Sequence, residues 1–254
     1  MPLRLAGGCR VSGWKEGEAL THGNLRLWRH AMGAEAISLR VLEFAAGLSP
    51  GLRNSGCDEV LYVFEGTGTV FLDGSARRVS PGTGFFLRPG VCLTVENAGP
   101  GALTLVGSQS PDPGPSLVFE RPRTSPDPGT SPGGNEPFVR FSEQPTQRAD
   151  DGRWFRVLVD QETCGARVTQ FVGAIPRGRA PDHFHEYEEV LCVLEGRGRF
   201  WAGESHAEIG PGSCVFLPRG QPHCVENTGG GELRLLGVFY PSGSPAVRYS
   251  PGRM

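Results

Sequence analysis

Pro181-Asp182-His183-Phe184-His185-Glu186-Tyr187-Glu188-Glu189 runs straight into Val190-Leu191-Cys192-Val193-Leu194-Glu195-Gly196. His183 and His185 are two residues apart, so on extended backbone their imidazoles leave from the same face. Glu189 follows four positions after His185, and His223 comes 34 positions after Glu189, on another strand. Three imidazoles and one carboxylate meeting at a point make a site for a first-row divalent ion. The apolar run that follows, closed by Gly196, belongs to a chain of short strands separated by turns.

Outward from this stretch, the sequence repeats itself. Val190 to Gly196 matches Val60-Leu61-Tyr62-Val63-Phe64-Glu65-Gly66, and Pro211-Gly212 matches Pro81-Gly82. Val225-Glu226-Asn227 matches Val95-Glu96-Asn97, so Glu59 to Glu189 and Asn97 to Asn227 are both 130 positions apart. The match persists to Pro245–Tyr249 opposite Pro115–Phe119. Two copies of one β unit follow. Residues 1–23 read as an N-terminal arm or edge strand, 24–110 as the first unit, 111–137 as a Pro/Gly-rich linker and 138–254 as the second unit. Within the linker, Leu117 to Phe119 is the segment able to add a strand.

Composition agrees with an all-β chain. With 38 Gly and 22 Pro among 254 residues, no stretch is left for long helices. Hydrophobic residues make up 38% and charged residues 20%, ordinary for a domain with a real core. The net charge of −2, with scattered arginines and Lys15 the single lysine, gives no basic footprint for nucleic acid. No apolar run is long enough to span a membrane, and Met1-Pro2-Leu3-Arg4-Leu5 does not open a signal peptide. Seven cysteines, odd in number and without C-x-x-C spacing, read as free thiols of a cytoplasmic protein.

The second copy resembles the cupins. Gly178, His183, His185, Glu189 and Gly196 fill that family's first motif, with one residue fewer than usual between Gly178 and His183. Gly212, Pro218, Gly220, His223 and Asn227 fill the second motif without departure. The resemblance implies two tandem jelly-roll barrels and makes His183, His185, Glu189 and His223 the ligands of one divalent transition metal. Fe, Mn, Ni, Zn, Cu and Co all remain open. In the first copy, a shift of 130 puts Arg53, Ser55, Glu59 and Leu93 at the ligand positions, so only the carboxylate survives. No metal is expected there, and two arrangements stay open: Arg53 pairs with Glu59 in place of the ion, or both side chains reach solvent at the barrel mouth.

Other side chains carry weaker signals. Tyr187, between two ligands, is the candidate for proton transfer or hydrogen-bond donation. Glu186 and Glu188 are expected to face outward, and His22, His30 and His206 to be exposed. Cys57, Cys92, Cys214 and Cys224 flank the two sites as small buried hydrophobes. The function implied is a metal-dependent enzyme on a small organic substrate, with a quercetinase-like, dioxygenase-type oxidoreductase favoured. O2-independent lyase, isomerase or hydrolase chemistry is the first alternative, and non-catalytic small-molecule binding or sensing the second. Free jelly-roll edges would also allow a homodimer.

Overall fold

The computed structural model describes residues 2–30, 36–53, 56–114, 117–126, 137–149 and 151–250. Among them the one α-helix is a single turn, Gln161–Cys164, held between an Asp160 cap and left-handed Gly165. Among the described residues, no helix is long and apolar enough to cross a membrane. Apart from two three-residue 3-10 turns, Ala6–Gly8 and Phe141–Glu143, the rest of the described chain is strand, turn and loop, arranged as two jelly-roll barrels.

In the first barrel, a seven-stranded sheet has Asp58–Glu65 near its centre, between Thr83–Leu87 and Leu103–Ser110. A second sheet, built on Cys92–Asn97, Gly68–Leu72 and Gly51–Arg53, closes over it. The second barrel repeats this. Glu188–Glu195 lies between Ser213–Leu217 and Leu233–Tyr240 in an eight-stranded sheet, opposite a sheet containing His223–Asn227 and Gly198–Ala202.

The central strands are apolar at successive positions because both of their faces are buried. Leu61 and Val63 fill the interior of the first barrel, whereas Val60 and Tyr62 enter a core shared with the other barrel. Leu191 and Val193 likewise fill the second barrel, and Val190 and Cys192 turn to the shared core. Each Val or Leu so buried contributes about 1.5–3 kcal/mol, so the shared core joins the barrels firmly. At Pro81-Gly82 and Pro211-Gly212 the glycines take φ of 88° and 83°, the left-handed corner the turn requires.

Composition did not reveal a reciprocal exchange of strands. Arg10–Gly13, from the N-terminal arm, pairs with Ser213–Leu217 of the second barrel. Phe138–Arg140, which follows the linker, pairs with Thr83–Leu87 of the first. Each covers a sheet edge that would otherwise present unpaired backbone groups. Val118–Glu120 adds a strand beside Gly51–Arg53, as the linker sequence suggested.

His30 differs from expectation. It is buried, with Nδ1 3.2 Å from the Ser12 hydroxyl and Nε2 donating to the Trp14 carbonyl at 2.8 Å. The strand exchange brings the arm across it, and this burial lowers its pKa. His22 and His206 are exposed; His22 stacks on Phe119, and the His206 ring lies tilted 4.3 Å from that of Trp201. Glu188 is half-buried and accepts the Ala36 N–H at 2.9 Å, linking the two halves instead of facing water.

Candidate metal centre

His223 opens the strand His223–Asn227 and faces His183 across an isolated antiparallel bridge. His183 N–H donates to the His223 carbonyl at 3.0 Å, and His223 N–H returns the bond at 2.8 Å. Directly opposed residues project their side chains on one face, so the two imidazoles meet. The turn Pro218-Arg219-Gly220-Gln221 brings His223 there, with Gly220 at φ 76° and its N–H donating to the His185 carbonyl at 2.7 Å. Glu189, on the adjoining strand Glu188–Glu195, supplies the carboxylate from the large sheet.

The three imidazole rings lie with centroids 5.0, 4.6 and 5.2 Å apart, and one nitrogen of each falls within 4.8 Å of the others. Glu189 Oε2 is 3.7 Å from His185 Nε2. Each Nδ1 meets a backbone carbonyl: Pro181 for His183 at 3.0 Å, Val247 for His185 at 3.0 Å and Gln221 for His223 at 2.9 Å. A carbonyl only accepts, so each Nδ1 carries the proton and each Nε2 is left with a lone pair.

The electrostatics favour a cation here. Burial and the neighbouring imidazoles push His185 down to about 4 and His223 to about 3, so both are neutral at pH 7. His183 is lowered too, by burial first and then by the charges of Arg153 and Arg248. Burial alone pushes the Glu189 carboxyl up to about 8, with no guanidinium offsetting it. Three inward lone pairs around a buried, uncompensated carboxylate fit a divalent transition ion.

A cavity of about 220 Å³ opens over these side chains, walled by Phe155, Phe171, Tyr187 and Leu235 and rimmed by Arg153 and Arg248. Tyr187 is sandwiched between His185 (centroids 4.7 Å, 9°) and Phe239 (4.2 Å, 15°), and burial raises its hydroxyl pKa well above the ordinary range. Phe171 lies against Gly237, where an added Cβ would sit 2.4 Å from its ring and 3.1 Å from Glu189 Oε1. His183, His185, Glu189, His223 and Tyr187 are thus brought together. Phe171, Arg153 and Arg248 carry no motif, and nothing in their spacing announces them.

The first barrel follows neither of the arrangements that the sequence left open. Arg53 does not pair with Glu59; it binds Glu120, with Nη2 donating to Oε2 at 2.7 Å, and also the Gly90 carbonyl. Cross-strand register sets Leu52, not Arg53, opposite Leu93, so Leu52 holds the place of His183. Leu52 to Glu59 is seven positions where His183 to Glu189 is six, and that one-residue slip turns Arg53 to the other face. Leu93 is buried in the barrel core, and Ser55 lies outside the described residues. Glu59, with no measurable exposure, takes its counter-charge from Arg40, whose Nε donates to Oε1 at 2.7 Å. Cys57, Cys92, Cys214 and Cys224 are buried and outside any disulfide.

A family model described as a cupin domain matches residues 171–239. An uncharacterized protein of Methanocaldococcus jannaschii is 35% identical over 54 residues, which is 21% of this chain and 43% of that protein. Auxin-binding protein 1 of Arabidopsis thaliana is 32% identical over 74 residues, 25% of this chain and 37% of that protein. The matched segments therefore span less than half of either relative. Among solved structures, a mutant of Bacillus subtilis oxalate decarboxylase aligns with TM-score 0.75 at 14% identity, over 94% of this chain and 78% of that one. The same enzyme at pH 4.6 gives 0.74, again at 14% identity over 94% and 78%. A further structure of that decarboxylase is described by its Mn(II) centres. With its histidine cluster in this fold, the chain has a site for one divalent transition metal, whose identity the donors leave open.

Proposed function

The chain belongs to the cupin superfamily as a protein of two tandem barrels, and from that premise we propose that its C-terminal barrel is the metal centre of an enzyme acting on a small organic substrate. His183, His185 and His223 would hold the ion through Nε2, and Glu189 through its carboxylate. The observation that carries this reading is the buried Glu189, uncompensated by any guanidinium, among three neutral imidazoles at the floor of a cavity. When bound, the ion would supply Lewis acidity and open coordination positions for substrate and O2.

The chain's own residues do the remaining work. The backbone carbonyls of Pro181, Gln221 and Val247 fix the imidazole tautomers and orientations. Phe155, Phe171 and Leu235 wall the cavity with apolar surface and exclude water. Tyr187 keeps its proton at neutral pH, so its part is that of a hydrogen-bond or proton donor and not of a base.

Oxygen-dependent chemistry of the quercetinase-like type is favoured over O2-independent lyase, isomerase or hydrolase chemistry. Among the described residues lining the cavity, Glu189 is the one carboxylate and all three imidazoles sit at the metal position. Tyr187 is then a proton donor without a side-chain base beside it, where an elimination or hydrolysis uses both. A second reading, non-catalytic binding of a small molecule, draws on the 32% identity to a protein named for binding auxin.

Metal analysis of the purified chain, followed by O2-uptake assays on Fe-, Mn-, Ni- and Cu-loaded protein with a panel of small aromatic and aliphatic compounds, tests the proposal. One ion per chain in the wild type, its loss in His223→Ala, and substrate-dependent O2 uptake are expected. Anaerobic turnover would move the assignment to the lyase or hydrolase class. Saturable ligand binding without turnover would leave the binding protein.

A further inference from the structure

The cavity is bounded on one side by the segment that follows the strand Leu233–Tyr240. Pro245, Ala246 and Arg248 line the cavity from this side, and the Val247 carbonyl accepts the His185 Nδ1 proton at 3.0 Å. The near end of the segment is fastened at Ser242 and Gly243. Ser242 N–H donates to the Arg167 carbonyl at 2.7 Å, and Gly243 N–H donates to the Thr169 hydroxyl at 2.9 Å. The far end meets the barrel where Tyr249 faces Phe184 in an isolated bridge. Its two backbone hydrogen bonds measure 2.9 and 3.0 Å, and the two rings stack with centroids 5.4 Å apart. Between these ends, Ala246 N–H and Val247 N–H turn back to Ser244, within the segment itself. None of residues 241–250 is buried, and Val247 and Tyr249 are 48% and 41% exposed. Little apolar burial therefore holds the segment down, which is the mark of a part that opens at low cost.

The matching segment of the first barrel is fixed in place. Val118–Glu120 forms a three-residue ladder with Gly51–Arg53, and Arg53 Nη2 donates to Glu120 Oε2 at 2.7 Å. In the second barrel that ladder is reduced to the single bridge. We propose that residues 244–249 form a strap, hinged at Ser242–Gly243 and latched by Phe184 and Tyr249, that opens to admit a small molecule and re-seats His185 on closing. With the strap closed, His183, His185 and His223 are only 9%, 8% and 4% exposed, so a solute reaches them after the latch parts. Opening carries the Val247 carbonyl away from Nδ1 and frees the His185 ring to turn. Closing restores the hydrogen bond that aims the Nε2 lone pair inward. Access to the cavity and the orientation of one ligand are thereby coupled through a single backbone oxygen. The strap rests on the metal enzyme proposed above for its catalytic meaning, but not for its opening.

Phe184→Cys combined with Tyr249→Cys sets two thiols directly opposite each other at the latch. Oxidised glutathione closes them into a disulfide and leaves as two reduced glutathione molecules. Diethyl pyrocarbonate, which acylates neutral imidazoles, then probes the metal-free full chain, with mass spectrometry reading each site. The locked protein should label His183, His185 and His223 at least tenfold more slowly than the same protein after reduction. The exposed His22 and His206 should label equally in both. Phe184→Ala combined with Tyr249→Ala should label the cavity histidines at least threefold faster than the wild type. In the wild type, the Phe184 and Tyr249 amides should exchange with deuterium at least tenfold faster than those of Val190 to Val193. Equal labelling of the locked and reduced forms overturns the strap, and so does a latch whose amides exchange as slowly as the central strand. Where the disulfide does not close, the alanine pair and the amide exchange decide in the same way. In zinc-loaded protein the lock should also slow release to EDTA at least tenfold. A chain that takes up no metal but is shielded by the lock keeps the strap and removes the metal enzyme. A chain that binds one ion and labels indifferently to the lock keeps the enzyme and loses the strap.

Discussion

The two barrels bury the same carboxylate at the same place and balance it differently. Glu59 and Glu189 both sit on the central strand of the large sheet, and burial raises the pKa of each. In the first barrel, Arg40 lies opposite Gly107 and the guanidinium beside Glu59 pulls its carboxyl back down. In the second, Phe171 lies opposite Gly237, and three imidazoles with inward lone pairs replace any fixed cation. Leu52 and Leu93 face each other where His183 and His223 do. One barrel carries its positive charge covalently, and the other leaves that charge to an exchangeable ion. A buried carboxylate tolerates either arrangement, but only the second leaves a site open to chemistry.

The sharpest way to break this comparison is to remove the covalent cation. Arg40→Met leaves Glu59 buried and uncompensated, and should cost about 3–5 kcal/mol of stability, read as a drop in the urea midpoint. Adding Glu59→Gln should restore most of it, while the metal content of the second barrel stays as in the wild type. Equal stability of Arg40→Met and wild type would mean that Glu59 is already protonated and needs no partner.

Removing a ligand tests the other side. His223→Ala should lower metal affinity by more than the roughly 100-fold that loss of an outer hydrogen-bond partner produces. The protein should stay folded, because His223 adds little to the barrel core. Competition with a fluorescent chelator measures the change, and a loss under tenfold would take His223 out of the ligand set.

Gly237→Ala probes the contact between Phe171 and Glu189. A Cβ there meets the Phe171 ring at 2.4 Å, so overpacking should cost about 1–3 kcal/mol and displace Glu189. Gly107→Ala meets nothing closer than Glu59 Oε1 at 3.2 Å and should cost less. Thermal melts of the two variants, side by side, check the order.

The gentlest perturbation is a change of pH, which alters no residue. The metal-free Glu189 carboxyl is held up at about 8, so below that pH a cation must displace one proton. Affinity should rise about tenfold per pH unit between 6 and 8 and flatten above. The His185 and His223 imidazoles, at about 4 and 3, are already neutral across that window and add no slope. Calorimetry in buffers of different ionisation enthalpy counts the proton released. A flat profile would mean that Glu189 is ionised before the ion arrives.

Much of this was legible without coordinates because periodicity and spacing are local quantities. The 130-residue repeat gave the two barrels, and His183-x-His185 with Glu189 and His223 gave the centre. Arg53 stays away from Glu59 for a reason that is also local. One extra residue in the loop before Glu59 shifts the ladder by one, and on a strand one position is the difference between inside and outside. Arg40 was missed because its partner is 19 positions away on another strand, with only the sheet register joining them.

By itself, then, the sequence determined which backbone would form, how many times, and which side chains would share a face along a single strand. The tertiary structure alone decided that Arg40 neutralises Glu59, which edge strands are exchanged and which residues line the cavity. Each of these depends on which distant strands lie side by side, and hydrogen-bond register in a closed barrel is fixed only when the whole sheet is assembled and both of its faces are buried.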